Sequence, residues 1–464
     1  MATLIPFKGI LYNTDKINDL SAVTAPPYDV ISEEEQDAFH ECHPRNVIRL
    51  ILGKSGEDDT CDDNCHTRAA DCFNNWLAED ILISDETPAF YLTSIEFSVE
   101  NQMMTRFGLI ARVRIEPFEK GVVLPHERTF SKVRSERLDL MKRCHSNFSP
   151  IFSLYSDQNG VLDSLRTAVA DKAPDTAFTD GKGHHHKLWR ITAPAMHESV
   201  SNAMKDKRIF IADGHHRYET ALDYRDWVAE NTPDFSDDHP ANYVMMYLSS
   251  MEDPGMLILP AHRMLKEIED SVLEGFVRKA GQYFDITTIP YGSNGHANGR
   301  ARLISELKAN AAVNAIGVSM KDTRDLHLMT LKPDVMSELF GDELPDALRG
   351  LDVTVLTRLI FMEILGFDQA RLDNADLIAY SSIAEDAIEG ANNGQCDISF
   401  ILNPTRIEQV QDIAQKGLIM PRKSTYFYPK VITGQVMNDL KEVRSGKWEV
   451  GSDRGNVPTF PLSL

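Results

Sequence analysis

Cysteine is scarce in this chain. Six residues in 464 (Cys42, Cys61, Cys65, Cys72, Cys144 and Cys396) are too few and too irregularly spaced for a secreted disulfide framework. Cys61, Cys65 and His66, with Cys72 nearby, lack the second paired knuckle of a zinc site. Positive charge is also in deficit: 48 Lys and Arg stand against 70 Asp and Glu, a formal net charge of −22. That balance argues against a general nucleic-acid binder, which needs a basic face. No apolar run reaches the ~20 residues of a membrane span, and the opening residues 1–9 lack the apolar core of a signal peptide. A reducing cytoplasm is the expected compartment, with no membrane partner. Neither G-x-x-x-x-G-K-S/T nor G-x-G-x-x-G occurs, so P-loop and Rossmann readings have no support.

What is present is enough for a large core, with 42% hydrophobic residues, and a length that suggests two or three units. The order of elements predicts an α+β fold of mixed sheets with flanking helices, not the regular alternation of a doubly wound sheet. Ser32 followed by Glu33, Glu34 and Glu35 reads as a helix cap and an acidic first turn. Residues 46–52 read as a strand. Residues 89–97 and 105–115 read as two strands turning near Glu100 and Asn101. Residues 171–187 read as an exposed hairpin loop. It ends in His184, His185 and His186, which point in different directions on a strand and so rarely ligate one metal. Residues 242–249 and 256–259 look like paired strands, 292–299 a Gly/Asn-rich connection, 314–320 and 326–331 strands of a second small sheet, and 347–365 a largely apolar helix. Asn403 and Pro404 form a good helix start. The expected units are an N-terminal α+β domain over 1–264, a smaller α+β domain over 265–400, and a C-terminal segment over 401–464, with its return to the site at 213–217 left open by the sequence.

The most informative stretch is 208–222. An apolar β-type run ends in Asp213-Gly214, and His215, His216 and Arg217 open a helical pattern. Backbone amides and the positive end of the helix dipole converge there, a setting for phosphate. Gly214 permits a tight turn, Arg217 can grip an anion bidentately, and the histidines handle protons near neutrality. His126 and Glu127, with Arg128 and Thr129, offer either a general base after a strand or an exposed charged loop. His262 and Arg263 offer a second cation for an anionic substrate, or an edge-strand charge pair. In the segment 420–430, Lys423 and the Ser424 hydroxyl can face phosphate while Tyr426, Phe427 and Tyr428 shelter or stack a base.

Together these stretches resemble a widespread prokaryotic family, domain of unknown function 1015. The matching runs are 5–9, 25–31, 46–50, His126-Glu127 with Thr129, 147–152, 213–217, Pro260 with His262-Arg263, 351–353 and 420–430, which span nearly the whole chain. Thr357 stands where that family usually has histidine, and Arg422 where glutamine is commoner. More distantly, the turn at 213–217 resembles the signature of the ParB/sulfiredoxin-like superfamily, some of whose members are free-serine kinases using ADP or ATP. The resemblance implies a ParB/sulfiredoxin-like core and a phosphotransferase acting on serine or phosphoserine, with a nucleotide co-substrate and Mg²⁺. Asp213 would bind the metal or orient the acceptor, His215 or His216 would donate to the phosphoryl group, and Glu127 or Asp29 would be the base on the hydroxyl. Two other classes stay open: a metal-dependent phosphomonoester hydrolase, and a non-catalytic nucleotide-binding protein.

Overall fold

The computed structural model describes residues 2–441 apart from 128, 130, 158–159, 291–295 and 375. Its centre is a nine-stranded mixed sheet. The strand order runs Val123–Leu124, Ile209–Asp213, Ile151–Tyr155, Tyr243–Ser250, Gln102–Arg114, Phe90–Val99, His185–Ile191 and Thr176–Thr179, with Leu4–Ile5 added beside Gln102–Arg114. Ile209–Asp213 lies parallel to Val123–Leu124 and antiparallel to Ile151–Tyr155. The long hairpin Phe90–Val99/Gln102–Arg114 turns at Glu100 and Asn101, both in the left-handed region at φ 49° and 64°. That geometry matches the right-handed twist of the flanking strands.

Helices flank this sheet. Ser32 caps Glu33–Cys42 in a reciprocal capping box with Glu35. Helix Ser131–Cys144 packs on both Cys65–Ala78 and His215–Asn231. The last of these is fastened by Tyr218 and Tyr224, both fully buried, at roughly 1.5–3 kcal/mol for a large apolar side chain. A second, all-antiparallel sheet of six strands runs Phe284–Pro290, Asp325–Leu331, Ala315–Met320, Ile398–Leu402, His262–Leu265 and Ile378–Ser381. No described helix is long and apolar enough to cross a membrane.

Several sequence expectations change here. Residues 46–52 hold the single-turn helix Ile48–Ile51 in place of a strand. Asn46 decides it: its side chain accepts from the Ile48 amide and donates to the Ala22 and Thr24 carbonyls, pinning a turn inside an apolar pocket. Leu257–Leu259 does not pair with Tyr243–Ser250. It pairs with Tyr426–Tyr428, from the far end of the chain. The 171–187 region is a paired hairpin, and His184 and His186 are buried. Only His185 is exposed among the three. The helix after Asn403 begins at Ile407, because the Asn403 side chain donates to the Leu307 carbonyl and does not cap. Residues 347–365 are broken into Asp346–Arg349, Asp352–Thr354 and a π-helical stretch Val355–Ile364. Within 292–299, only the start of helix His296–Ala309 falls among the described residues.

The strand Tyr426–Tyr428 carries the chain back to the central sheet as a strap. Arg106, buried beneath it, donates to the Tyr428 and Pro429 carbonyls at 3.1 and 2.7 Å. Arg263 donates to the Arg422 and Lys423 carbonyls at 3.3 and 2.8 Å. Two buried guanidiniums thus satisfy strap carbonyls that would otherwise be stranded away from water.

Candidate functional site

The site forms where strand Ile209–Asp213 delivers Asp213 to the mouth of helix His215–Asn231. Gly214 joins them at φ 97°. A Cβ there would lie 2.8 Å from the Arg217 guanidinium carbon, so both backbone and neighbour require glycine. No side chain among the described residues caps this helix, and its first turn holds no acidic residue. The positive end of the dipole there favours an anionic group.

Asp213 is buried, and each of its oxygens is taken by a cation. Arg217 Nη2 donates to Oδ2 at 2.5 Å, and Lys430 Nζ donates to Oδ1. Arg217 also donates to the Pro150 carbonyl. Burial pushes the Asp213 carboxyl up, but Lys430 and Arg217 outweigh it and hold the group well below the usual carboxylate range. The same pairing lifts Lys430, against the downward pull of its own burial. Mg²⁺ at Asp213 does not fit this donor set. The ion would have to displace Lys430 or Arg217 from the one carboxylate placed between them, and Mg²⁺ wants an oxygen-rich, near-octahedral shell. The charge it would supply is already present as the ammonium and guanidinium.

His126 and His215 stand edge to face, with ring centroids 4.8 Å apart. The His126 backbone amide donates to His215 Nε2 at 3.3 Å, so that nitrogen is an acceptor and the ring is neutral with its proton on Nδ1. Burial, reinforced by His126, drives the His215 imidazole well below its ordinary value. Burial likewise lowers His126 to about 4. His126 ties the strap down: Nε2 hydrogen-bonds with Thr425 Oγ1 at 3.0 Å, and its carbonyl accepts from the Met420 amide at 2.9 Å.

Glu127, half-buried beside them, shares its surroundings with Lys423, Lys430 and Arg263. Burial raises its carboxyl from an ordinary 4.5 to about 7, against the opposing pull of those cations. Such a group changes charge near neutral pH, as a general base or acid should. His216, half-buried, is lowered by burial, while the charges of Asp29 and Glu219 resist. Asp29 is exposed on the short turn Tyr28–Val30, within electrostatic reach of His216 and Lys430. Thr129 is held by Glu219, which Arg134 also grips at 3.1 Å. Arg128 lies outside the described residues.

The structure thus brings Asp213, Gly214, His215, His216, Arg217, His126, Glu127 and Lys423 around one place, with Asp29 at its edge. Three expected residues are committed elsewhere. Ser424 is buried, and its hydroxyl donates to the Pro421 carbonyl at 2.5 Å. His262 is buried, and its Nδ1 accepts from the Leu402 amide at 3.1 Å. Burial lowers it to about 4. Arg263 spends its donors on the carbonyls of residues 261, 422 and 423, and burial lowers it to about 10. It still reaches Glu127 through its charge. Lys430 is the residue that sequence reasoning passed over. It closes the same aromatic, proline-bounded run as Lys423, and nothing local to that run signals an aspartate 217 positions earlier.

The family model for a protein of unknown function (DUF1015) matches residues 4–354. No curated protein matches the chain. Among solved structures, a free serine kinase variant in complex with ADP is similar at 11% identity and a TM-score of 0.33, covering 69% of this chain and 87% of that one. A conserved hypothetical protein from Pyrococcus furiosus is similar at 13% identity and a TM-score of 0.33, covering 72% of this chain and 95% of that one. C-terminally truncated SbnI from Staphylococcus aureus is similar at 11% identity and 0.33, covering 70% and 86%.

Proposed function

The chain belongs to the DUF1015 family, and within it we propose a phosphotransferase working between a nucleotide, ATP or ADP, and a small hydroxy-amino acid, serine or phosphoserine, on a ParB/sulfiredoxin-like core. The observation that carries this reading is Glu127: a carboxyl brought to about 7 among Lys423, Lys430 and Arg263, beside a helix N-terminus with no side-chain cap. Phosphoryl transfer asks mainly for positioning and neutralisation of charge on the transferring oxygens. Lys423 and the first amides of the helix hold the phosphates. Glu127 takes the proton of the acceptor hydroxyl as its oxygen bonds to phosphorus and the bond from phosphorus to the nucleotide's leaving oxygen breaks. The neutral His215 offers a hydrogen bond from Nδ1. Asp213 fixes Lys430 and Arg217 and is a positioning residue. In the reverse direction the protonated Glu127 returns the proton to serine.

³¹P NMR tests the reading directly. One tube holds protein, ATP or ADP and L-serine; another holds O-phosphoserine with and without ADP; each is run with MgCl₂ and with EDTA. Nucleotide-dependent gain or loss of the phosphoserine resonance is the expected result. Phosphoserine loss without nucleotide would replace the reading with hydrolysis. Unchanged spectra in every tube would overturn it.

A further inference from the structure

Away from Asp213, the hairpin Thr176–Thr179/His185–Ile191 assembles a second polar group that the proposed reaction does not use. Asp180 opens its turn. Oδ1 accepts from the backbone amides of Lys182 and His184 at 2.9 and 3.0 Å, so the turn itself fixes the carboxylate plane. Oδ2 is left to face two imidazoles, His184 Nδ1 at 3.2 Å and His186 Nε2 at 3.0 Å. Residues two apart on a strand share a face, which is why His184 and His186 converge while His185 turns outward to Thr179.

Each ring is oriented from behind. Phe178 stacks on His186 with centroids 5.0 Å apart and planes 15° from parallel. His184 Nε2 hydrogen-bonds with the Tyr428 hydroxyl at 3.0 Å, and Phe97 meets the ring edge-on. A histidine whose second nitrogen is held by a polar partner while the first faces a shared point has the arrangement of a metal ligand with its supporting hydrogen bond. The three donor atoms lie within 4.8 Å of one another, and this is the one such group of histidine, cysteine and carboxylate side chains among the described residues. In a tetrahedral zinc site, bonds of about 2.0–2.1 Å place neighbouring donors about 3.3 Å apart. The two Asp180–imidazole separations are already close to that.

We propose that Asp180 Oδ2, His184 Nδ1 and His186 Nε2 form a binding site for a divalent transition-metal ion of the Zn²⁺ class. Two imidazoles and one carboxylate select Zn²⁺, Co²⁺ or Fe²⁺ over Mg²⁺ and Ca²⁺, which prefer all-oxygen shells. Three protein ligands leave a coordination position for water or a small anion. The ion would take the place of the hydrogen bonds that now join Asp180 Oδ2 to the two imidazoles. Through Tyr428 the site grips the strap two residues before Lys430, so a bound ion also fastens the segment that reaches Asp213.

Titration of the metal-free, full-length protein with Co²⁺, followed by visible absorption and then displaced by Zn²⁺, tests this. One equivalent bound with the intense bands of a low-coordinate site is expected. Affinity should fall at least tenfold in His186→Gln and in Asp180→Asn, and stay unchanged in His185→Gln. Absence of binding, or binding that survives His184→Gln with His186→Gln, would overturn the proposal. X-ray absorption at the zinc edge of the unaltered protein gives an answer that does not depend on a variant folding. Two imidazoles and oxygen are expected, and a sulfur shell would place the ion on cysteines and refute the site.

Discussion

Two aspartates organise this molecule, and they differ in what they hold. Asp213 divides its oxygens between Arg217 and Lys430, a guanidinium and an ammonium. Asp180 gives one oxygen to its own turn and shares the other between two imidazoles. A carboxylate saturated by two cations is a fixed anchor with no room for an ion. A carboxylate oxygen shared by two imidazole nitrogens offers the donor set of a transition-metal site. The strap touches both, with Tyr428 at His184 and Lys430 at Asp213.

The largest expected effect comes from breaking the anchor. Lys430→Met leaves Asp213 buried with one cation, and loss of a partner from a buried pair costs about 3–5 kcal/mol. Urea unfolding at pH 7 should show it. A loss below ~1 kcal/mol would mean that Lys430 behaves as a surface ion pair. Next, Gly214→Ala forces a non-glycine residue to φ 97° against Arg217 and should cost about 1–3 kcal/mol in the same assay.

The pH dependence separates two carboxyls of opposite sign. Glu127 is raised in the folded state, from 4.5 to about 7. Its contribution to stability is full below 4.5 and is lost as pH rises to 7. Asp213 is lowered, so its contribution is present at neutral pH and is lost as pH falls below the ordinary carboxylate value of 3.8. Unfolding free energies measured from pH 3 to 8 should therefore lose the decline between 4.5 and 7 in Glu127→Gln while keeping the acid-side decline. An unaltered profile would remove Glu127 as a titrating group near neutrality. The smallest change is expected at the metal-facing hairpin. Co²⁺ should raise the melting temperature of the wild type by ligand linkage and leave that of His186→Gln unmoved, while His185→Gln without metal should stay within about 0.5 kcal/mol of wild type.

Local signals in the sequence carried much of this. The Ser32 cap, the turn at Glu100 and Asn101, the second sheet, and the Asp213-Gly214 turn into a helix each rest on a few adjacent residues whose backbone preferences agree. The failures share a different origin. Residues 46–52 are apolar except for Asn46 and Arg49, too short a run for periodicity to separate a strand from a turn of helix, and Asn46 settled it through contacts 22 and 24 residues away. The partner of Leu257–Leu259 is Tyr426–Tyr428, which no local pattern announces. Ser424, His262 and Arg263 were legible as polar residues in a suggestive run, but their donors and acceptors go to backbone groups whose position only the packed chain fixes. At the histidine run, strand alternation sets His185 apart from His184 and His186, and only the turn at Asp180 brings a carboxylate to that i, i+2 pair.

In the proposed reaction the Asp213 helix mouth, with Lys423 on the strap, takes the phosphates of a nucleotide. Calorimetric titration of ADP into the wild type and into Lys423→Gln tests it without disturbing the buried anchor, because Lys423 is exposed. Saturable binding that weakens about tenfold in the variant, in line with loss of one charge-assisted contact, and that weakens again as salt rises is the result expected. Absence of ADP binding by the wild type, or equal affinity in both proteins, would contradict it.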